Sequence, residues 1–333
     1  MFKKLLRISI ILALVVVVLG AYTRLSDAGL GCPDWPTCYG HLTVPDAPEG
    51  SKVNGFERPL EAVKGWKEMV HRYSASLLGL MIFVLFFLVF SGKTKHQQPS
   101  ALPAFIAFFV LLQGAFGMWT VTLLVHPGIV TIHLIGGFST TALLVWLLLN
   151  QRRPPIIHKH ILKKHRQLIV ATLLVLTAQI ILGGWTSTNY AALSCGENFP
   201  TCLGAWWPQM DLAGALYWGP IGTNYEYGVL PEAARVGVQM LHRIGALVAT
   251  LTVVTLIYMF RHYQHMRSNL MIIAALLCLQ VALGVANVLF SIPMAVALAH
   301  NAVALLLFIS VLVLLHKATP KTNLNFAIPV SPQ

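Results

Sequence analysis

The chain has 333 residues and a net charge of +12, with 56% hydrophobic and only 10% charged residues. Soluble domains carry about 25% charged residues, so this composition, with a mean hydropathy of +0.71, excludes an ordinary soluble fold. The basic residues are spread over several separate segments, which makes nucleic-acid binding a poor explanation of the charge.

Apolar runs of about 20 residues are long enough to cross a bilayer. They predict eight helices, at approximately Ile8–Thr23, Val70–Phe90, Leu102–Val125, Ile129–Leu149, Leu168–Trp185, Val236–Phe260, Leu270–Phe290 and Met294–Leu315. Span 1 follows the basic start MFKKLLR and, with Gly20-Ala21 after it, has the outline of a secretory leader. Its counterpart further along the chain favours a retained helix instead. A long Pro- and Gly-rich loop, about Arg24–Met69, carries Cys32 and Cys38 in GCPDWPTCYG. Span 2 then opens on Glu68-x-x-His71-Arg72. Span 3 holds Gln113, Gly114 and Gly117; a very short turn with His126, an accessory candidate, leads to His133 and Gly136-Gly137 in span 4. A basic segment, residues 151–166, links to span 5. The loop of about Thr186–Arg235 carries Cys195 and Cys202 in SCGENFPTCLG. Span 6 contains Gln239-x-x-His242-Arg243, span 7 contains Cys278, Gln280 and Gly284, and span 8 contains His300. Cys278 is expected to be a buried small hydrophobe. The tail, residues 319–333, has a disordered composition.

Lys and Arg orient these spans. With the N-terminus in the cytoplasm, 15 of the 23 basic residues fall in inner segments that contain no Asp or Glu, and all 11 acidic residues fall on the outer side. This positive-inside pattern places both termini in the cytoplasm; contact with anionic lipid headgroups is a secondary consequence.

The order of motifs repeats. Span 1 and its loop answer span 5 and its loop, EMVHRYSASLLGL answers QMLHRIGALVATL, and LLQGAFGMWTV answers CLQVALGVANV. Both copies begin on the same side, so they are parallel repeats. The predicted fold is all-α: a polytopic membrane protein of eight transmembrane helices in two parallel, pseudo-symmetric four-helix bundles. Residues 1–150 form the first and residues 167–318 the second.

All four loop cysteines face the oxidising side, and pairing within each loop closes a small ring. Chain entropy makes such a ring worth about 2 kcal/mol. A structural staple is favoured over a redox dithiol, because neither spacing is Cys-x-x-Cys.

His71, His133, His242 and His300 stand apart from the loop histidines. Each lies near the outer end of its span, roughly 8–10 Å inside the boundary at 1.5 Å per residue. Ionisable groups at such depth are costly and mark function. Two imidazoles on facing helices suit a six-coordinate haem iron held between them; zinc lacks further ligands. The glycines let a macrocycle or a neighbouring helix approach closely. Arg72 and Arg243 are positioned to meet haem propionates, or to anchor the interface. The halves differ at one chemically decisive position: Glu68 precedes His71 by one helical turn, and Gln239 precedes His242. A carboxylate can take a proton, orient water or stabilise a developing cation, which an amide cannot do as well.

From Ile8 to about Leu315 the sequence resembles the haem A synthases, membrane proteins of cytochrome oxidase assembly. The resemblance rests on the eight spans, the four histidines, Glu68-x-x-His71, GAYTRLSDAGLGCPDWPTCYG and the loop cysteine pairs. It implies oxidation of the C8 methyl of haem O to the formyl group of haem A, with water as oxygen source. It also implies a haem b cofactor on His242 and His300 as electron relay, and a haem O site at His71 and His133 with Glu68 catalytic. Implied partners are the membrane enzyme that supplies haem O, an unidentified electron acceptor, and oxidase assembly factors, in a bacterial inner membrane. Two rivals stay open at this stage: a di-haem b-type cytochrome, and a thiol-oxidising enzyme working through the loop cysteines.

Overall fold

The computed structural model describes residues 1–91, 100–151 and 163–319. Lys93, Lys95, His96, Arg152, Arg153, His158, Lys159, His160 and Lys321 lie outside these residues, as do most of the linker and nearly all of the tail. Among the described residues, eight helices are long and apolar enough to cross a membrane. They are α1 (Phe2–Leu25), α2 (Ala62–Phe90), α3 (Ala101–Thr122), α4 (Pro127–Asn150), α5 (Lys163–Thr188), α7 (Glu232–Phe260), α8 (Arg267–Leu289) and α9 (Met294–Ala318). A single-turn helix, α6 (Leu212–Ala215), sits in the second long loop.

Within the first half α1 packs on α2, α2 on α3, α3 on α4 and α4 back on α1. The second half closes the same ring through α5, α7, α8 and α9. The halves meet through α4 with α5, α1 with α9, and α4 with α9, so the pattern of neighbours is unchanged when the halves are exchanged.

Away from the long loops, each ring is filled by aliphatic and aromatic side chains. Leu6, Ile82, Leu85, Ile106, Leu144 and Leu147 fill the first, and Ile169, Val253, Leu256, Phe260, Ile273 and Val311 the second. Lipid tails are as apolar as these side chains, so close packing, more than escape from water, holds the helices together. Outward-facing Ile11, Phe87, Phe108 and Leu251 suit a lipid environment. Cys278 belongs to this outer surface and is exposed, contrary to the expectation of burial; its position on α8 turns it away from the ring.

α2 begins at Ala62 rather than near Val70, and α7 at Glu232 rather than Val236. The roughly two extra turns carry Lys64, Lys67 and Glu68 in α2, charges that hide a helix from a hydropathy reading. His71 lies about 14 Å and His242 about 15 Å along their helices, and His133 and His300 about 9 Å along theirs.

The two long loops cap one end and tie the halves together. Arg58 donates to both oxygens of Glu226, at 3.0 and 2.8 Å. Arg24 donates to Ser187 O (2.5 Å) and lies 4.2 Å from the Tyr190 ring centroid, while the Tyr190 hydroxyl donates to Asp27 (2.7 Å). Burial pushes Tyr190 above its ordinary value; the Arg24 charge opposes this and Asp27 reinforces it. His126 caps α4: its Nδ1 accepts from Gly128 N–H (3.2 Å), leaving the Nε2 proton for Gly219 O (3.3 Å). Both ring nitrogens are thus taken by the turn and by the opposite half's loop, which makes His126 a structural cap.

Candidate functional site

Helix rotation brings the four intramembrane histidines together as two pairs. In the first half the His71 and His133 rings have centroids 6.5 Å apart and planes at 89°. In the second, His242 on α7 and His300 on α9 occupy the equivalent places, facing Gly183 and Gly284.

Each histidine faces a glycine on the preceding helix of its ring. A Cβ at Gly20 would stand 2.9 Å from His71 Cε1, at Gly117 3.3 Å from His133 Cε1, at Gly183 3.3 Å from His242 Cε1, and at Gly284 3.1 Å from His300 Cε1. Any side chain there would push into the imidazole. Nδ1 of His71, His133 and His300 is buried without a hydrogen-bond partner, a state that costs free energy unless a ligand is received.

This donor set fits a haem. With metal–imidazole bonds of about 2.0–2.1 Å, His71 and His133, their ring centroids 6.5 Å apart, would be able to hold one iron between them. Among the described residues no group of three or more His, Cys, Asp or Glu is arranged to hold an ion. Paired imidazoles leave the remaining coordination positions to a macrocycle.

Around the first pair the cap loop reaches in. Cys32 and Cys38 are disulfide-bonded, with Cα atoms 4.7 Å apart. The Cys32 N–H donates to Glu68 Oε2 (2.9 Å), and Arg72 Nη2 donates to Glu68 Oε1 (2.5 Å). Arg72 Nη1 in turn donates to the carbonyls of Asp34 (2.9 Å) and Thr37 (2.8 Å) inside the disulfide ring. The Asp34 side chain accepts from Tyr39 N–H (2.6 Å), Gly40 N–H (2.9 Å) and the Thr37 hydroxyl, so the ring is itself braced. Glu68 is only 4% exposed, which excludes the reading of a solvated acid at a helix start.

Around the second pair the cap is alike but the site differs. Cys195 and Cys202 are bonded, with Cα atoms 4.5 Å apart. Arg243 grips the ring through Thr201 O (2.9 Å), Asn198 O (3.0 Å) and Pro200 O (3.3 Å). Gln239 takes the place of Glu68; it is 4% exposed and its Oε1 has no partner.

The family model COX15-CtaA, cytochrome oxidase assembly protein, matches residues 3–312. The chain belongs to this family. A "Heme A synthase" of Shewanella oneidensis is 42% identical over 92% of this chain and 93% of its own. Proteins of the same name from Rhizorhabdus wittichii (30% identical, 91% of this chain and 89% of its own) and Halalkalibacterium halodurans (27%, 88% and 89%) are also similar.

For this COX15-CtaA member, sequence reasoning finds the four histidines, Glu68 and the cysteine pairs, and the structure brings each set together. Arg72 and Arg243 turn out to hold loop carbonyls, Arg72 while also paired to Glu68. Sequence reasoning misses Gly20, the Cys32 N–H and Gln179. Gln179 Nε2 stands 3.1 Å from His242 Nδ1. Its signal was available: Gln179 occupies, one turn before Gly183, the position that Val16 occupies before Gly20.

Proposed function

We propose that this multi-pass membrane protein is a haem A synthase, oxidising the C8 methyl of haem O to the formyl of haem A. The observation that carries this reading is the inequality of the two sites. Beside one histidine pair stands a buried carboxylate held by two donors; beside the other stands a neutral amide with a free oxygen. A b-type cytochrome that only passes electrons has no use for that difference.

On this reading residues 1–150 receive the substrate, with His71 and His133 holding the iron of haem O. Glu68 accepts a proton from the incoming water, its oxygens aimed by Cys32 N–H and Arg72. Arg72 acts through Glu68 and keeps it charged-paired between turnovers. The disulfide-closed loop covers the site and limits access of bulk water. Residues 167–318 hold haem b on His242 and His300, where it supplies electron relay to an acceptor. Arg243, whose buried Nε has no partner, is the arginine better placed for a propionate. Partners by this reading are a haem O-supplying membrane enzyme and oxidase assembly factors. The asymmetry of basic residues supports both termini in the cytoplasm of a bacterium, with the two capped sites near the periplasmic face.

Expression with a haem O supplier, followed by pigment extraction, tests the proposal. Haem A is the expected product; haem O alone would defeat it.

A further inference from the structure

The outer turns of α7 divide their side chains among three faces. Ala234, Val238 and Leu241 belong to the cluster around Trp185, while Val236 and Met240 belong to the one around Cys195 and Cys202. Arg235, Gln239 and His242, spaced four and three residues apart, share the face between them. His242 uses that face to meet Gly183. Arg235 therefore stands over His242 on the outer side, about 10.5 Å away along the axis.

Both residues over His242 have unused hydrogen-bonding capacity. Arg235 Nε is buried without a partner, and among the described residues no carboxylate pairs with its guanidinium. Gln239 is 4% exposed and its Oε1 is unbonded. A cleft of about 190 Å³, lined by Tyr190, Leu193, Ser194, Glu232 and Arg235, opens beside the guanidinium. Spacing alone does not produce this state. Lys64 precedes Glu68 and His71 at the same intervals, yet its ammonium pairs with Glu61 (2.8 Å) and donates to the Tyr227 hydroxyl (3.4 Å). Glu232 precedes Arg235 by the same three residues as Glu61 precedes Lys64, and no such pair forms.

We infer that Arg235, with Gln239 beneath it, grips a propionate carboxylate of the haem held by His242 and His300. This rests on the assignment of a haem to that pair proposed above. A buried guanidinium nitrogen without a partner costs free energy unless a ligand brings acceptor oxygens. The planar fork of arginine matches a carboxylate through two parallel N–H···O bonds. The Gln239 amide can donate to the same carboxylate, which a glutamate in its place would repel. Haem propionates sit at one edge of the macrocycle, away from the iron, as Arg235 sits to the outer side of His242. Arg243 is less free for this task, because its Nη atoms hold the carbonyls of Asn198, Pro200 and Thr201. A haem has two propionates, and the Nε left on Arg243 suits the other.

The test uses the full-length protein purified with haem. Haem transfer to excess apomyoglobin is followed optically, and the midpoint potential of the low-spin haem is measured by spectroelectrochemical titration. Arg235→Leu is expected to speed haem loss by about 10–100-fold, the scale of a hydrogen bond to a charged group. It should also lower the midpoint potential, because a cation near the iron favours the ferrous state. Arg235→Lys keeps the charge without the fork, so its potential should stay near wild type while its haem leaves at an intermediate rate. Wild-type loss and potential in Arg235→Leu, as a lipid phosphate on the guanidinium would give, overturn the inference. Glu232→Gln decides the matter if Arg235→Leu does not fold: removing an anion from the cleft should raise the potential, and an unchanged or lower value overturns the inference. His242→Ala is the separate control: should the low-spin haem survive it, the site assignment itself has failed.

Discussion

Cys32 and Glu68, 36 residues apart, are joined by a 2.9 Å hydrogen bond from the main-chain N–H of one to the carboxylate of the other. The bond makes a disulfide-closed surface loop part of the wall of a buried site. On the proposed reading it lets a residue outside the membrane spans position a catalytic group at their outer end.

Loosening that loop should therefore affect the first site selectively. The double substitution Cys32→Ser and Cys38→Ser is expected to lower haem A formation by about 10–100-fold, the scale for a catalytic group displaced by about 1 Å. The low-spin haem on His242 and His300 should stay. Cys195→Ser with Cys202→Ser should leave the intrinsic turnover of haem-loaded protein near wild type, because no corresponding bond to Gln239 exists. Equal effects of the two pairs on turnover would show that the loops act only as general staples.

Glu68→Gln keeps the shape of the side chain and removes its charge. Haem content should be unchanged, while haem A formation falls by about 100–10,000-fold, the range for loss of a general base. Single-turnover conversion of bound haem O, measured by pigment chromatography, is the appropriate readout. Unchanged conversion would remove Glu68 from the catalytic role.

The glycines offer a test of fit independent of activity. Gly183→Val or Gly284→Val places carbon against His242 or His300 and should abolish the low-spin spectrum, as should His242→Ala and His300→Ala. Gly20→Val and Gly117→Val should spare that spectrum and block haem O binding. A spectrum indifferent to Gly284→Val would argue against a macrocycle at that position.

At the cap, Arg58→Ala removes a two-pronged, partly buried pair with Glu226 and should cost about 1–3 kcal/mol, between the surface and buried limits. Hydrogen exchange in residues 45–61 and 220–230 would report it. Glu61 adds a pH dependence. Burial pushes its carboxyl up, but Lys64 and then Arg58 outweigh this and hold it below the ordinary value. A carboxyl with a lowered folded pKa stabilises fully above its unfolded value, about 4.3, and loses that contribution as pH falls through the lower folded one. Protection of the first loop should therefore hold at neutral pH and decline only in acid. A decline between pH 6 and 8 would contradict the assignment.

Much of this was legible in the amino-acid order. Hydropathy located all eight spanning helices, although the charged first two turns of α2 concealed its true start. Gln239 opposite Glu68 was readable once the repeat was recognised. Cys278 was misjudged because composition cannot say which side of a helix meets the ring. Gln113 and Gln280 hold matching positions in sequence, yet Gln113 donates to the His133 main-chain carbonyl while the Gln280 amide stands 3.2 Å from the His300 ring.

Sequence by itself determined that the chain belongs in a bilayer, that it is doubled, and that each copy carries two deep histidines. These follow from solvation and from spacing along a helix, which are local. Tertiary structure alone decided which glycine each imidazole faces, that the Cys32 N–H reaches Glu68, and that Glu68 is held by two donors while the Gln239 oxygen has no partner. Such contacts depend on the rotation and register of helices distant in sequence, set jointly by packing across the whole bundle.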